Sequence, residues 1–296
     1  MKIGFIFAGQ GQQFLYMGQD LVDEYKSAHT LYKQAEAILG YDLLNLDQDK
    51  LNQTQYTQPA LFVLGVVLDT ILKQHNVNPN IVAGLSLGEY NALYSAGVFD
   101  FETGLKLIEK RAKLMSEAFE LKETSMAACV RTDRETVASL IKDTGIEICN
   151  VNTYSQIVIG GYTKDLEVLL PILKQNKVRA FPLKVSCVSH MSLLKEASED
   201  FGKILETVEF KIPKIKFINN VDAMIQEDNF KDSLKRQISQ KTELALSIQK
   251  MIDMDVTRII EVGPKNTISK FVKEINKDIE TFNVYDINTL KEYYHE

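Results

Sequence analysis

A serine between two glycines, Gly84-Leu85-Ser86-Leu87-Gly88, is the first place in this sequence where chemistry can be read from residue types. It follows the short apolar run Ile81-Val82-Ala83 and precedes a helical stretch with Glu89 in its first turn. Strand, tight turn and helix in that order form the arrangement that lifts a Ser hydroxyl onto a helix N-terminus, with glycines permitting the strained turn. The backbone amide of Leu87 then points where an oxyanion would form. A glycine-flanked turn whose Ser merely caps the helix is the plainer alternative. A nucleophilic Ser needs a base, and the chain has four histidines: His29, His75, His190 and His295. In such folds the base follows the Ser in sequence, which removes His29 and His75, and His295 is penultimate in a stretch expected to fray. His190 remains, just past an expected strand in Val188-Ser189-His190. Strand ends are where α/β folds place their sites.

A second signal is a charge in the wrong place. With residues 105–115 on a helical wheel, Lys106, Glu109, Lys110 and Lys113 share one polar arc, and Leu105, Leu107, Ile108, Ala112, Leu114 and Met115 fill the opposite one. Arg111 falls at about 240°, within the apolar arc. A guanidinium facing a core needs a partner, because an unpaired buried charge is prohibitive. Two readings stay open: an ion pair within the fold, or a fork that receives an anionic substrate. Gly9-Gln10-Gly11-Gln12-Gln13 follows the first apolar segment but carries Phe14 where a dinucleotide loop needs its third glycine. Its backbone amides could instead supply a second oxyanion donor. No P-loop, H-E-x-x-H or EF-hand pattern occurs, so no metal and no bound cofactor are expected.

The elements that must position these groups read as an α/β protein. Residues 2–8 form an apolar run ending at glycines, a buried strand opening onto a loop. Residues 58–75 place Pro59 at a helix start and then run apolar, which predicts a central buried helix. From residue 124 the order is strand (126–130), helix (134–142), strand (146–150), strand (156–159), helix (166–175), strand (178–185), a ferredoxin-like β-α-β-β-α-β unit. Strand-turn patterning resumes at 258–262, so this unit reads as an insertion into a larger α/β body.

Length and composition bound the rest. At 296 residues, 45% apolar and 25% charged, the chain has the makeup of one or two globular domains. A net charge of −6 without a block of Lys or Arg argues against nucleic acid. The longest strongly apolar run, residues 60–68, falls short of the ~20 residues of a membrane span. Cys129, Cys149 and Cys187 are odd in number and widely spaced, which suggests neither a disulfide framework nor a zinc site and fits a reducing, cytoplasmic setting.

Gly9-Gln10-Gly11, Thr57-Gln58-Pro59-Ala60, Gly84-Leu85-Ser86-Leu87-Gly88-Glu89, Arg111, Ser189-His190 and Glu261-Val262-Gly263-Pro264, in this order, resemble the malonyl-CoA:acyl carrier protein transacylase family over nearly the whole chain. The resemblance implies an α/β-hydrolase-like catalytic domain, residues 1–123 and 188–296, holding a ferredoxin-like small domain, residues 124–187. It implies Ser86 as the acylated nucleophile, His190 as its base, the amides of Gln10 and Leu87 as the oxyanion hole, and Arg111 as partner of the malonyl carboxylate. Asn152 matches an asparagine lining the family's cleft, or is a turn residue. The implied activity is that of an [acyl-carrier-protein] S-malonyltransferase of fatty-acid or polyketide biosynthesis, with malonyl-CoA and an acyl carrier protein as partners and a monomer as the working form. An editing acyl hydrolase of carrier-bound chains and a non-catalytic carrier-docking protein are the alternatives; the first has no need of Arg111, the second no need of Ser86 with His190. The chain departs from the family at Leu85, where His is common. It departs again at Glu243, aligned with a Gln position whose main-chain carbonyl orients the catalytic His. Ser189 is closer to the fatty-acid enzymes than the Phe common in malonyl-selective polyketide modules. Lys184, Lys235, Arg236 and Lys241 flank these segments and are the expected cations for carrier docking.

Overall fold

The computed structural model describes residues 1–118, 123–183, 185, 188–295. Two sheets organise it. Their strands are β1 (Ile3–Phe7), β2 (Ile81–Gly84), β3 (Thr124–Val130), β4 (Glu147–Thr153), β5 (Gln156–Tyr162), β6 (Arg179–Pro182), β7 (Lys216–Phe217), β8 (Arg258–Val262) and β9 (Glu280–Val284). The larger sheet runs β7-β2-β1-β8-β9 and its pairings are parallel. In β1, Phe5 and Phe7 face one core while Ile6 faces another, the period of two that a strand covered on both faces must show.

Against the Phe5 and Phe7 face lies the Thr54–Gln74 helix, apolar nearly all round. It is long and apolar enough to cross a membrane by length and composition, yet 83% of its most apolar window is buried inside the protein. It is therefore a core helix, as its position after Pro59 suggested, although its start differs from expectation. The helix begins at Thr54 and Pro59 lies inside it, so Pro59 leaves the carbonyl of Gln55 without its usual i+4 donor.

The smaller sheet, order β4-β5-β3-β6, is antiparallel throughout. Helices Arg134–Ile141 and Thr163–Gln175 are the crossovers anticipated from the pattern. Ala127, Cys129, Ile157 and Ile159 face those helices, whereas Met126, Ala128 and Val158 face the main core. A parallel bridge between Asn150 and Thr242 ties the smaller sheet to the segment between the Phe230–Ser239 and Leu244–Asp253 helices. In it the Val151 amide donates to Thr242 at 2.9 Å, and the Thr242 amide to Cys149 at 3.0 Å. Cys129 and Cys149 are free and buried; Cys187 lies outside the described residues. No cluster that could hold a metal ion occurs among the described residues.

Candidate active site

The strand ends of β1 and β2 open onto one cavity of about 220 Å³ between the sheets. At the end of β2 the chain turns sharply through Ser86, whose φ of 55° puts a residue with a side chain in the left-handed region. Two glycines make the turn possible. A Cβ on Gly84 would collide with the Gly88 backbone, and one on Gly88 with the Phe7 carbonyl. The helix Gly88–Ser95 starts immediately after, so the Leu87 amide lies at its positive end.

His190 meets this serine. Its Nδ1 is 2.6 Å from the Gln237 carbonyl and its Nε2 is 2.8 Å from Ser86 Oγ. A carbonyl can only accept, so Nδ1 carries the proton and the neutral ring offers Nε2 as an acceptor to the serine hydroxyl. Burial, reinforced by the Arg111 charge and opposed by the Gln237 hydrogen bond, pushes the His190 pKa down to about 3. The ring is thus a free base through the physiological range. His190, like Ser86, holds a left-handed backbone, φ 61°.

Arg111 comes from the Phe101–Glu117 helix and is fully buried, as the helical wheel required. Its Nη1 donates to Gln58 Oε1 at 2.5 Å, and its Nη2 to Gln237 Oε1 at 2.8 Å and to Ser86 Oγ at 3.1 Å. Its planar fork is therefore held by two amide oxygens and aimed at the Ser86 hydroxyl. The guanidinium also stands 5.6 Å from the Tyr90 ring centroid.

Gln10, Leu87 and Asn152 line the same cavity. Asn152 is buried, and its Oδ1 has no hydrogen-bond partner among the described residues. Glu243 is a correction. It does not line the cavity; its backbone carbonyl accepts from the Ser247 amide at 3.0 Å, and its carboxylate takes Arg134 and Lys241. The carbonyl that receives His190 belongs to Gln237. The cations expected at a docking surface have partners of their own. Lys235 pairs with Glu199, Arg236 with Asp222 and Asp232, and Lys241 with Glu243, while Lys184 lies outside the described residues. Each of the three is already matched by an acid of its own chain.

Sequence reasoning missed Asn220 and Gln237, and quoted Gln58 in a motif without giving it a role. Asn220 braces the turn: its Oδ1 accepts the Ser86 amide at 2.7 Å and its Nδ2 donates to the Gly84 carbonyl at 2.6 Å. Gln237 had a readable signal. It lies among the buried Phe230, Leu234 and Ile238 of the Phe230–Ser239 helix, a polar residue on an apolar face as Arg111 is. Chemically, the arrangement can ionise a serine, stabilise charge at its helix end and hold a carboxylate beside it.

Comparison with known proteins agrees with that chemistry. The profile of the acyl transferase domain family matches residues 4–287. The malonyl CoA-acyl carrier protein transacylase of Bacillus subtilis is 34% identical over 98% of this chain and 95% of its own length. The polyketide biosynthesis malonyl CoA-acyl carrier protein transacylase of the same organism is 37% identical over 94% of this chain and 98% of its own. An acyl carrier protein S-malonyltransferase structure from Vibrio cholerae superposes with a TM-score of 0.94 at 34% identity, covering 99% of this chain and all of that one. A serine on a strained strand-to-helix turn, a histidine bonded to its hydroxyl and a buried arginine fork thus sit on a backbone shared almost from end to end with the Vibrio cholerae structure, and the chain belongs to the acyl transferase domain family.

Proposed function

We propose that this protein is a malonyl-CoA:acyl carrier protein transacylase, and that an α/β-hydrolase-like body, residues 1–123 and 188–296, carries the chemistry while a ferredoxin-like unit, residues 124–187, closes the cleft. Supporting that division, the small unit has the strand order and crossovers of a split β-α-β fold. The observation that carries the function is the buried guanidinium of Arg111, 3.1 Å from the Ser86 hydroxyl. A cation placed there selects an acyl group that ends in a carboxylate.

In the first half-reaction His190 Nε2 takes the Ser86 proton as Oγ attacks the thioester carbonyl of malonyl-CoA. The amides of Leu87 and Gln10 receive the oxyanion. The Ser86 amide is already committed to Asn220 and so does not serve there. As the tetrahedral intermediate collapses, the C–S bond breaks and His190 returns its proton to the CoA thiolate, leaving a malonyl ester on Ser86. The malonyl carboxylate bonds to Arg111 in place of the serine hydroxyl, a charge-assisted contact of about 1.5–3 kcal/mol per hydrogen bond. In the second half the phosphopantetheine thiol of an acyl carrier protein gives its proton to His190 and attacks the ester carbonyl; the bond from that carbon to Ser86 Oγ breaks, His190 returns the proton to Oγ, and the malonyl group leaves as the carrier's thioester.

The test is transfer from malonyl-CoA to a holo acyl carrier protein, followed with free malonate measured in the same samples. The proposal expects malonyl-carrier formation with parallel-line, ping-pong kinetics and little free malonate. Malonate release without carrier loading would establish a hydrolase instead.

A further inference from the structure

We propose that Glu89 is a positioning residue of this site: through the side chain of Gln237 it fixes the orientation of Arg111, and with it the preference for a carboxylate-bearing acyl group. The inference rests on the transacylase reading above.

Glu89 lies in the first turn of the helix behind Ser86 and is fully buried. Its Oε1 accepts from the Asn220 amide at 2.9 Å and its Oε2 from Gln237 Nε2. The same Gln237 nitrogen donates to the Ser86 carbonyl at 2.8 Å. Both Gln237 N–H groups are therefore used, and its Oε1 is left to face Arg111 Nη2 at 2.8 Å. A side-chain amide has a donor end and an acceptor end, and its neighbours decide which way round it sits. A carboxylate can only accept, so Glu89 draws the NH₂ end of Gln237 to itself and presents the oxygen to a guanidinium that can only donate. With Asn220 bonded to the Ser86 amide, the contacts close a ring through Ser86, Asn220, Glu89 and Gln237. The backbone of Gln237 meanwhile holds His190. One residue thus couples nucleophile, base and carboxylate binder, and Glu89 sets its polarity.

Keeping a carboxylate there is costly. Burial pushes the Glu89 pKa up to about 7, against the Asn220 and Gln237 hydrogen bonds and the Arg111 charge, so the comparison below is made at about pH 8, where the carboxylate form dominates. A neutral residue of the same shape would relieve that cost but lose the polarity, because a glutamine at 89 both donates and accepts and lets Gln237 turn its NH₂ toward Arg111.

The experiment compares Glu89→Gln with wild type by the rate of acyl-enzyme formation on the intact protein, with malonyl-CoA and acetyl-CoA in parallel and a melting curve on each sample. The expected result is a folded variant whose malonyl-to-acetyl rate ratio falls about tenfold. A ratio unchanged from wild type, with both rates falling together, overturns the proposal and leaves Glu89 a fold residue. If Glu89→Gln does not fold, Gln237→Met decides, since it removes the amide and keeps the main-chain carbonyl on His190. The same fall in ratio supports the proposal, and an unchanged ratio overturns it. Wild type that never takes up malonyl would contradict the transacylase reading itself, a failure visible before any variant is measured.

Discussion

The two walls of the cleft differ in kind. On the parallel-sheet side, Ser86, His190, Arg111, Gln58 and Gln237 are joined by contacts of 2.5–3.1 Å, and the backbone holds left-handed geometry at both Ser86 and His190. On the antiparallel-sheet side the cavity meets Met126, Ala128 and Val158 and the amides of Asn150, Asn152 and Gln156, with the Asn152 Oδ1 unpartnered among the described residues. One wall has its polar groups aligned before any substrate arrives, which is what electrostatic stabilisation of a transition state requires. The other offers an apolar shape edged by the side-chain amides of Asn150, Asn152 and Gln156, which suits the body of a substrate rather than its reacting atoms. The difference teaches where substitutions will change chemistry and where they will change fit.

The comparison breaks first at Ser86. Ser86→Ala should abolish acyl-enzyme formation from any acyl-CoA while the fold persists, because the hydroxyl fills no core volume; intact mass after incubation with malonyl-CoA checks it. His190→Ala should slow acylation by about 10²–10⁴, the usual contribution of a positioned base, measured in a pre-steady-state assay and partly rescued at higher pH. Arg111→Ala should lower kcat/KM for malonyl-CoA by at least about tenfold, the equivalent of 1.4 kcal/mol, while acetyl-CoA is accepted as well or better. It should also lower the melting temperature, because the Gln58 and Gln237 oxygens lose their donor, at about 1–3 kcal/mol for each buried group left unpaired. On the opposite wall, Asn152→Ala should raise KM for malonyl-CoA by about threefold and leave kcat nearly unchanged, the signature of lost uniform binding. A fall in kcat as large as that of His190→Ala would erase the distinction between the walls.

A smaller effect sharpens it. The charged ring of His190 is disfavoured by burial and by the Arg111 charge, so protonation is shifted to lower pH and the base form dominates. In a histidine-labelled sample the His190 ring resonances should stay those of a neutral imidazole from about pH 8 to about pH 5, with the proton on Nδ1. A midpoint near the ordinary value of 6.5 would mean that the ring is not sealed in as described.

Much of the polar wall was legible because its cues are strong at short range. An apolar run ending at glycines marks β1 and β2, G-x-S-x-G marks the turn, and Arg111 betrays itself by sitting on an apolar arc. The β-α-β-β-α-β order also matched the observed elements, with boundaries shifted by a few residues. What was hidden has physical reasons. β7 is two residues long, and β9 is an edge strand whose side chains are mostly part-exposed, so neither shows a continuous apolar run. The histidine's partner is a main-chain carbonyl, which any residue could supply. Side-chain identity therefore could not separate Gln237 from Glu243, six residues further along the chain. Asn220 works from a loop after β7, where no periodicity marks it.

The central claim is that a malonyl group resides on Ser86 between CoA and the carrier. Its most direct test is the intact mass of the wild-type protein after malonyl-CoA, then after addition of holo acyl carrier protein, with peptide mapping of the loaded sample. The account predicts one malonyl adduct located on the peptide containing Ser86, discharged when the carrier is added and recovered on the carrier's thiol. An adduct on another residue, or carrier loading from a protein that never acquires the adduct, would contradict it.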